Sequence, residues 1–538
     1  MEVLIIAVAG LLALAGAATL APKVRIAAPL LLVLLGIVVS FLPFIPPIEV
    51  EPEWILAGVL PPLLYSAAVG MPAMNFRREF TAIRGLALGL VVVSAVVLGL
   101  FFSWAIPGME LWWGIALGAI VSPTDAVATS IVKRVGVSGR IASVLEGESL
   151  LNDATALVLL RSAIAGTAVT MTLRHIAVDF VYAVAVAVGL GVLVGFVNLR
   201  ARQRVSDSTV NTILSFTVPF LASIPAELLN ASGLVAAVVA GLVTGHGAPR
   251  RLPPQHRSSD AQNWHTVELV LEGAIFLIMG LELYALVTEV RDEHAGVGNA
   301  AVVALCALVL VIVVRALYVV PLLAVLGRRA RRGARLREQF AADAEHWDPT
   351  RRRRALADID YFLAAPLGWR DGAVIVWAGM RGAVTVAAAQ TLPSDTPHRS
   401  TLVLIAFSVA AMSLMLQGGT LAAFVARVRP VTPEDEGAER AELRALLLRV
   451  QDEVLAGVDE ADRRARTEPS ELVAAHIGMA PELSLRILGA QREALLDARD
   501  DGVFRAEVLE DALGRLDAAQ IGIELRAAEE RARPDGSG

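Results

Sequence analysis

The chain has 538 residues, 56% of them hydrophobic and only 5% aromatic, with a mean hydropathy of +0.62, which excludes an ordinary water-soluble globular protein and puts most of the chain in a bilayer. The formal net charge of −6 conceals a segregation, with basic residues in short loops and acidic ones gathered in the C-terminal tail. The single cysteine, Cys306, lies in an apolar run, so neither a disulfide framework nor a thiolate metal cluster is expected, and no cofactor is indicated.

Apolar runs long enough for about 30 Å of hydrocarbon predict thirteen spanning helices, at 3–21, 26–45, 54–72, 82–106, 112–132, 141–165, 175–199, 209–229, 232–246, 265–288, 299–326, 371–391 and 400–428. The first has Lys23 and Arg25 after it and no basic stretch before it, which reads as a spanning helix rather than a cleaved signal peptide. The eighth and ninth are separated only at Asn230. Arginine and lysine accumulate in alternate loops (Lys23 and Arg25; Arg77, Arg78 and Arg84; Lys133, Arg134 and Arg140; Arg200, Arg202 and Arg204; Arg250, Arg251 and Arg257) and in RRARRGARLR and RRRR after the eleventh helix. The opposite loops carry only Arg174, Arg291 and Arg399, beside acids such as Glu49, Glu51, Glu53 and Glu110. Because basic loops stay inside, the N-terminus is expected outside and the C-terminus inside. The fold class is an all-α polytopic membrane protein. A membrane domain over 1–430 would contain a basic cytoplasmic loop at 327–370 and be followed by a cytoplasmic helical regulatory tail at 431–538. No dinucleotide or Walker motif occurs in the tail.

Four helices carry polar groups that lipid would not tolerate without a reason. In the fifth, VSPTDAVATS, Pro123 removes a backbone donor and predicts a break just before Thr124 and Asp125, where freed carbonyls and hydroxyls can ligate a cation. A simple proline kink with a buried acid is the competing reading. In the sixth, GESLLNDATALVLL, Glu148, Ser149, Asn152 and Asp153 share one side at helical spacing. Asp153 comes about 18 Å along its helix and Asp125 about 20 Å along the antiparallel fifth, so both acids reach mid-membrane. A polar helix contact is the alternative, chiefly for Asn152. The eleventh helix holds a lone Arg315, roughly 16 Å from its cytoplasmic end, with Glu148 as the acid at matching depth and snorkelling as the alternative. The twelfth reads VWAGMRGAVTVAAA, where Gly379 and Gly382 flank Arg381 and let the helix unwind. It stands seven helices after the broken fifth and crosses in the opposite sense, so helices four to six would be repeated, inverted, by eleven to thirteen, a pattern that points to a transporter's binding site. Glu227, Glu268 and Glu272 are weaker intramembrane acids, read as structural, and His246 as an ordinary interfacial histidine.

These motifs, together with LMLQGGTL in the thirteenth helix, resemble the monovalent cation/proton antiporter family, in the sodium/proton exchanger branch that includes bacterial NhaP and animal NHE proteins. The resemblance covers about residues 1 to 430 and implies a core of two inverted three-helix repeats, with helices 5 and 12 crossed and unwound, beside a separate dimerisation domain. By motif, Asp153 would be the ion- and proton-binding carboxylate, with Asp125, the Thr124 carbonyl and Ser149 completing a Na+ site. Asn152 would brace the crossing and Glu148 would pair with Arg315. Electrogenic relatives have an Asp where Asn152 stands, so an electroneutral exchange of one cation for one proton is implied. Many members carry an acid where LPPLLYSAAVG has Ser66, a departure at the cation entrance. The expected protein is therefore a homodimeric antiporter of the cell membrane, not an enzyme, working on monovalent cations and protons in pH and sodium homeostasis, with no nucleic-acid partner. A potassium-preferring exchanger is the nearer alternative. A cation channel and a non-transporting sensor are the remote ones.

Overall fold

Apolar runs of twenty or so residues can satisfy their backbone in lipid only as helices, and helices are what form. The computed structural model describes residues 2–24, 26–42, 51–168, 173–292, 296–342, 348–430, 436–457 and 481–532, and among these residues there is no strand. Arg25 and Glu49, used above to judge the loops, fall outside the described residues.

In chain order the membrane-domain helices are α1 Glu2–Val24, α2 Ala28–Ser40, α3 Trp54–Gly70, α4 Ala73–Ala105, α5a Leu111–Val121 and α5b Val127–Val135, α6 Gly139–Ala168, and α7 Leu173–Arg202. They continue with α8 Ser208–Leu228, α9 Gly233–Arg251, α10 Pro254–Leu281, prolonged by Leu283–Asp292, α11 Val297–Ala342, α12a Trp369–Trp377 and α12b Ala383–Gln390, and α13 Arg399–Val428. Seven of these are long and apolar enough to cross a membrane on length and composition, and α2, α3 and α5a are shorter apolar helices. Leu12, Val181, Phe196, Leu228, Leu317 and Val320 stay exposed on their outer faces, as expected where the surrounding solvent is hydrocarbon.

The uncertain division between the eighth and ninth segments is a tight turn in which Asn230 takes a left-handed conformation, which asparagine tolerates. The stretch 327–370 differs from the expected loop. Its arginine, alanine and leucine are strong helix formers, so α11 runs on to Ala342. A connector helix, Pro349–Ala364, then starts on a cap where Asp348 accepts from the Arg351 amide at 3.2 Å.

Two bodies emerge from the packing. Helices α4, α5, α6, α11, α12 and α13 pack on one another, and so do α1, α2, α3, α7, α8, α9 and α10. The first body contains the two three-helix segments that the sequence relates by inversion. Within it α4 and α5a approach almost backbone to backbone, because a Cβ on Gly118 would meet the Ala95 carbonyl. In the second body Gly36 of α2 and Gly280 of α10 allow the same closeness.

Among the described residues the tail forms three helices, α14 Glu436–Ala456, α15 Pro481–Asp501 and α16 Ala506–Ala532, around Leu443, Leu447, Leu488, Leu495, Leu509 and Leu516. It lies across one face of the membrane domain and touches both bodies. Arg250 of α9 pairs with Asp497 at 3.0 Å and Asp500 at 2.8 Å, and Arg257 of α10 with Asp517 at 2.5 Å. On the other body, Arg78 of α4 donates to the Gly502 carbonyl at 2.8 Å and Asn75 to Glu507 at 3.2 Å.

Candidate functional site

The site forms where the chain cannot stay helical. Pro123 has no N–H to give, α5a stops at Val121, and the helix resumes only at Val127. In the opposite-running α12 the helix stops at Trp377 and resumes at Ala383, around the glycines that flank Arg381. The two extended stretches cross, and the Asp125 amide donates to the Met380 carbonyl at 2.8 Å.

Breaking two helices inside a membrane domain exposes backbone groups that lipid would penalise by several kcal/mol each, and side chains meet most of that demand. Arg381 donates through Nε to the Val121 carbonyl at 3.0 Å, through Nη2 to the Ser122 carbonyl at 3.2 Å, and through Nη1 to the Gly379 carbonyl. One cation thus closes the negative ends of both α5a and α12a. At the positive end of α5b the sign reverses, and Asp125 Oδ1 accepts from the Val127 amide at 2.8 Å. The Asp125 carboxylate lies so close to Gly382 that any Cβ there would fall on Oδ2.

From α6, Glu148 meets Arg315 in a two-pronged pair, Nη1 to Oε1 at 2.5 Å and Nη2 to Oε2 at 2.7 Å. Arg315 Nε also donates to the Ile375 carbonyl at 2.9 Å near the end of α12a. Thr124 Oγ1 donates to Glu148 at 3.1 Å, and Asn152 Nδ2 reaches the Thr124 carbonyl at 3.0 Å and its hydroxyl at 2.8 Å. Asn152 therefore ties α6 to the break in α5 and occupies one acceptor position of the Thr124 carbonyl. Its own Oδ1 is buried without a partner. Ser149 donates back to the Glu146 carbonyl at 3.1 Å, which leaves its oxygen lone pairs available. Asp153 is 7% exposed, and among the described residues its charged neighbour is another acid, Asp125.

The candidate residues are thus gathered around one crossing: Thr124, Asp125, Glu148, Asn152, Arg315, Gly379, Arg381 and Gly382 by direct contact, Pro123 by making the break, and Ser149 and Asp153 on the buried face of α6 beside it. Two members were not singled out from sequence. Ser413 accepts from the Arg381 amide at 2.9 Å and donates to Gln417 at 2.5 Å, and Gln417 caps α12a by donating to the Trp377 carbonyl at 3.1 Å. An amide in the otherwise apolar LMLQGGTL was the available signal, and both side chains are fully buried. Glu227 has a structural role, accepting from Arg161 at 2.8 Å and from the Gly233 amide at 3.0 Å. The Arg161 partner was also not foreseen. Glu272 of α10 differs, since the charges acting on it are Asp125 and Glu268, both acids. Glu268 in turn neighbours Ser66, the position of the departure noted above. His246 lies within α9, and its carbonyl accepts from Arg499 of the tail at 3.2 Å.

Interrupted helices that cross within a membrane domain, with their ends closed by buried charges beside the Asp125 and Asp153 carboxylates, define a secondary transporter built on an inverted repeat. The chain belongs to the sodium/hydrogen exchanger family: the description "Sodium/hydrogen exchanger, transmembrane" matches residues 9–427. Over 283 residues it is 36% identical to the "Uncharacterized Na(+)/H(+) exchanger YjcE" of Escherichia coli, an alignment covering 50% of this chain and 51% of that protein. It is 27% identical to the Na(+)/H(+) antiporter NhaG of Bacillus atrophaeus over 457 residues, or 80% of this chain and 76% of the other. The solved structure of the sodium proton antiporter MjNhaP1 from Methanocaldococcus jannaschii has the same fold, with a TM-score of 0.58 at 18% identity over 80% of this chain and 99% of that one.

Proposed function

We propose that this protein exchanges Na+ for H+ across a cell membrane, one for one, with Asp153 as the carboxylate for which the two ions compete. A single observation carries the proposal. Of the two buried acids on α6, Glu148 is neutralised by Arg315, whereas among the described residues no basic side chain pairs with Asp153. An acid in that position demands a compensating positive charge, and a proton or a sodium ion can supply it, but not both together. Asp125, the second acceptor position of the Thr124 carbonyl and the Ser149 hydroxyl would complete the oxygen cage, since hard cations of this kind take oxygen ligands. Asn152 in place of a second acid supports the electroneutral count.

The body formed by α4–α6 and α11–α13 would carry the site from one side to the other against the body formed by α1–α3 and α7–α10, the second body also holding a dimer partner. Leak is suppressed if that movement requires Asp153 to be neutral. The thirteen segments would cross with the N-terminus outside and the tail in the cytoplasm, as the arginine-rich loops favour.

The test is flux in proteoliposomes with the membrane potential clamped and with sodium, lithium and potassium offered in turn. Asp153→Asn should insert normally and lose all cation-driven proton movement. Residual exchange in that variant would sink the assignment of Asp153, and a larger flux with potassium than with sodium would overturn the choice of ion.

A further inference from the structure

On the face opposite the tail the two bodies meet at a second buried acid, one that the exchange cycle above does not use. Glu282 caps the end of α10 and is 5% exposed, although it is a carboxylate. Its Oε2 accepts from Gln390 Nε2, at the end of α12b, at 2.8 Å. The remaining oxygen of each group, Glu282 Oε1 and Gln390 Oε1, is buried and has no hydrogen-bond partner. Two orphaned acceptors on a pair already joined by one hydrogen bond are costly, and among the described residues no third donor bonds to either.

Among the described residues no charged side chain pairs with Glu282 either. The side chain acting on Glu282 is Gln390 itself. Helices α2 and α12b contain no ionisable residue. Arg399 of α13 is occupied by the carbonyls of Leu392 at 2.9 Å and Gln390 at 2.8 Å. Glu51 and Glu53 before α3, Glu289 and Arg291 beyond α10, and Asp395 and His398 before α13 are all exposed. Glu272, the next acid down α10, is ten residues away, about 15 Å.

We infer that Glu282 and Gln390 form a proton-binding latch between the two bodies, in which one proton carried on Glu282 Oε1 is donated to Gln390 Oε1. A carboxylic acid and a primary amide then exchange two hydrogen bonds in a closed ring: the amide N–H to Oε2, which is present, and the acid O–H to the amide oxygen, which satisfies both orphans at once. When the bodies separate on this face, water reaches Glu282 and takes the proton. When they close, the proton is taken back from the same side. Acid on the face opposite the tail therefore holds that face shut. The link to transport rests on the exchange reading above, whereas the proton site does not.

Glu282→Gln is the informative variant, because its amide N–H replaces the acid O–H and keeps both hydrogen bonds without a proton. Infrared difference spectra of the purified full-length protein in sodium-free buffer, stepped from acid to alkaline pH, should show a protonated-carboxyl C=O band. That band should be lost in Glu282→Gln and displaced in Gln390→Ala, which removes the acceptor. In proteoliposomes Glu282→Gln should exchange slowly at every pH, as wild type does with acid on the face opposite the tail, because a latch that carries no titrating proton is no longer released by alkali. Identical carboxyl bands in wild type and Glu282→Gln at every pH would overturn the proposal, as would a Glu282 band that sodium abolishes, since a cation would then occupy the site. The spectra report on the proton even if the chain exchanges nothing, so the two readings fail separately.

Discussion

The crossing of α5 and α12 and the seam where the tail meets the membrane domain are both built from arginines and acidic or carbonyl oxygens, yet they are opposite kinds of structure. At the crossing, Arg315 and Arg381 are each 1% exposed, and every donor they use meets an acceptor held by a helix end or by α6. At the seam, Arg250 is 41% exposed and its partner Asp497 68%. A buried ion pair adds little net stability, but removing one partner strands the other charge at a cost of about 3–5 kcal/mol. An exposed pair contributes about 0–1 kcal/mol and is screened by salt. The crossing is therefore organised so that no member can be lost singly, and the exposed edge of the seam at Arg250 so that contacts can be made and broken, although Arg257–Asp517 and Arg78 nearby are more enclosed.

The largest effect should follow Arg315→Ala. It leaves Glu148 charged and enclosed, and thermal unfolding in detergent should register a loss of about 3–5 kcal/mol. Adding Glu148→Leu should restore part of it, because the second substitution removes the stranded charge. If the single variant unfolds like wild type, the buried-pair reading of the crossing is wrong. Gly382→Ala comes next. Its Cβ falls on the Asp125 carboxylate, so the carboxylate must move to relieve an overpacking of about 1–3 kcal/mol. The half-saturating sodium concentration should rise by about tenfold or more while the protein still folds. Gln417→Leu should cost about 1–3 kcal/mol, by leaving the Trp377 carbonyl at the end of α12a without its donor.

Much of the crossing was legible beforehand because its causes are local. Pro123 and the Gly379–Gly382 stretch break helices through their own backbone chemistry, and a lone arginine in an apolar helix announces that it needs an acid at its own depth. The apolar segments were legible for the same reason, length against bilayer thickness. What could not be read depends on contacts between distant parts of the chain. Nothing near Gln417 says that it will close α12a, forty residues earlier. Glu282 looks like any acid at a helix end until Gln390 is brought against it from the other body. The outward run of α11 to Ala342 was missed for a different reason, since a dense arginine cluster reads as a loop by charge and as a helix by propensity.

The smallest single effects belong to the seam, where pH acts more broadly than any one contact. Arg250→Ala should change tail docking by no more than about 1 kcal/mol, and raising the salt should mimic it. Glu510 of α16 lines a cavity of about 320 Å³ between the tail and the membrane domain, with His246, Arg77, Arg354, Arg499 and Asp500 also on its walls. Packing around the carboxyl, with Glu507 and Glu146 as acidic neighbours, pushes its pKa up to about 7, against the pull of Lys133 and Arg499. The side chain is exposed, so solvent screens part of that repulsion. Since the docked value lies above the free carboxyl value of 4.5, protonation favours docking. The contribution of Glu510 is complete below about pH 4.5 and is lost as pH rises through about 7. Fluorescence transfer between a label on α15 and one on the connector helix should therefore fall as the pH is raised across that interval. Glu510→Gln should flatten the profile near its acid-side value, whereas an unchanged profile in that variant would assign the pH response of the seam to another group.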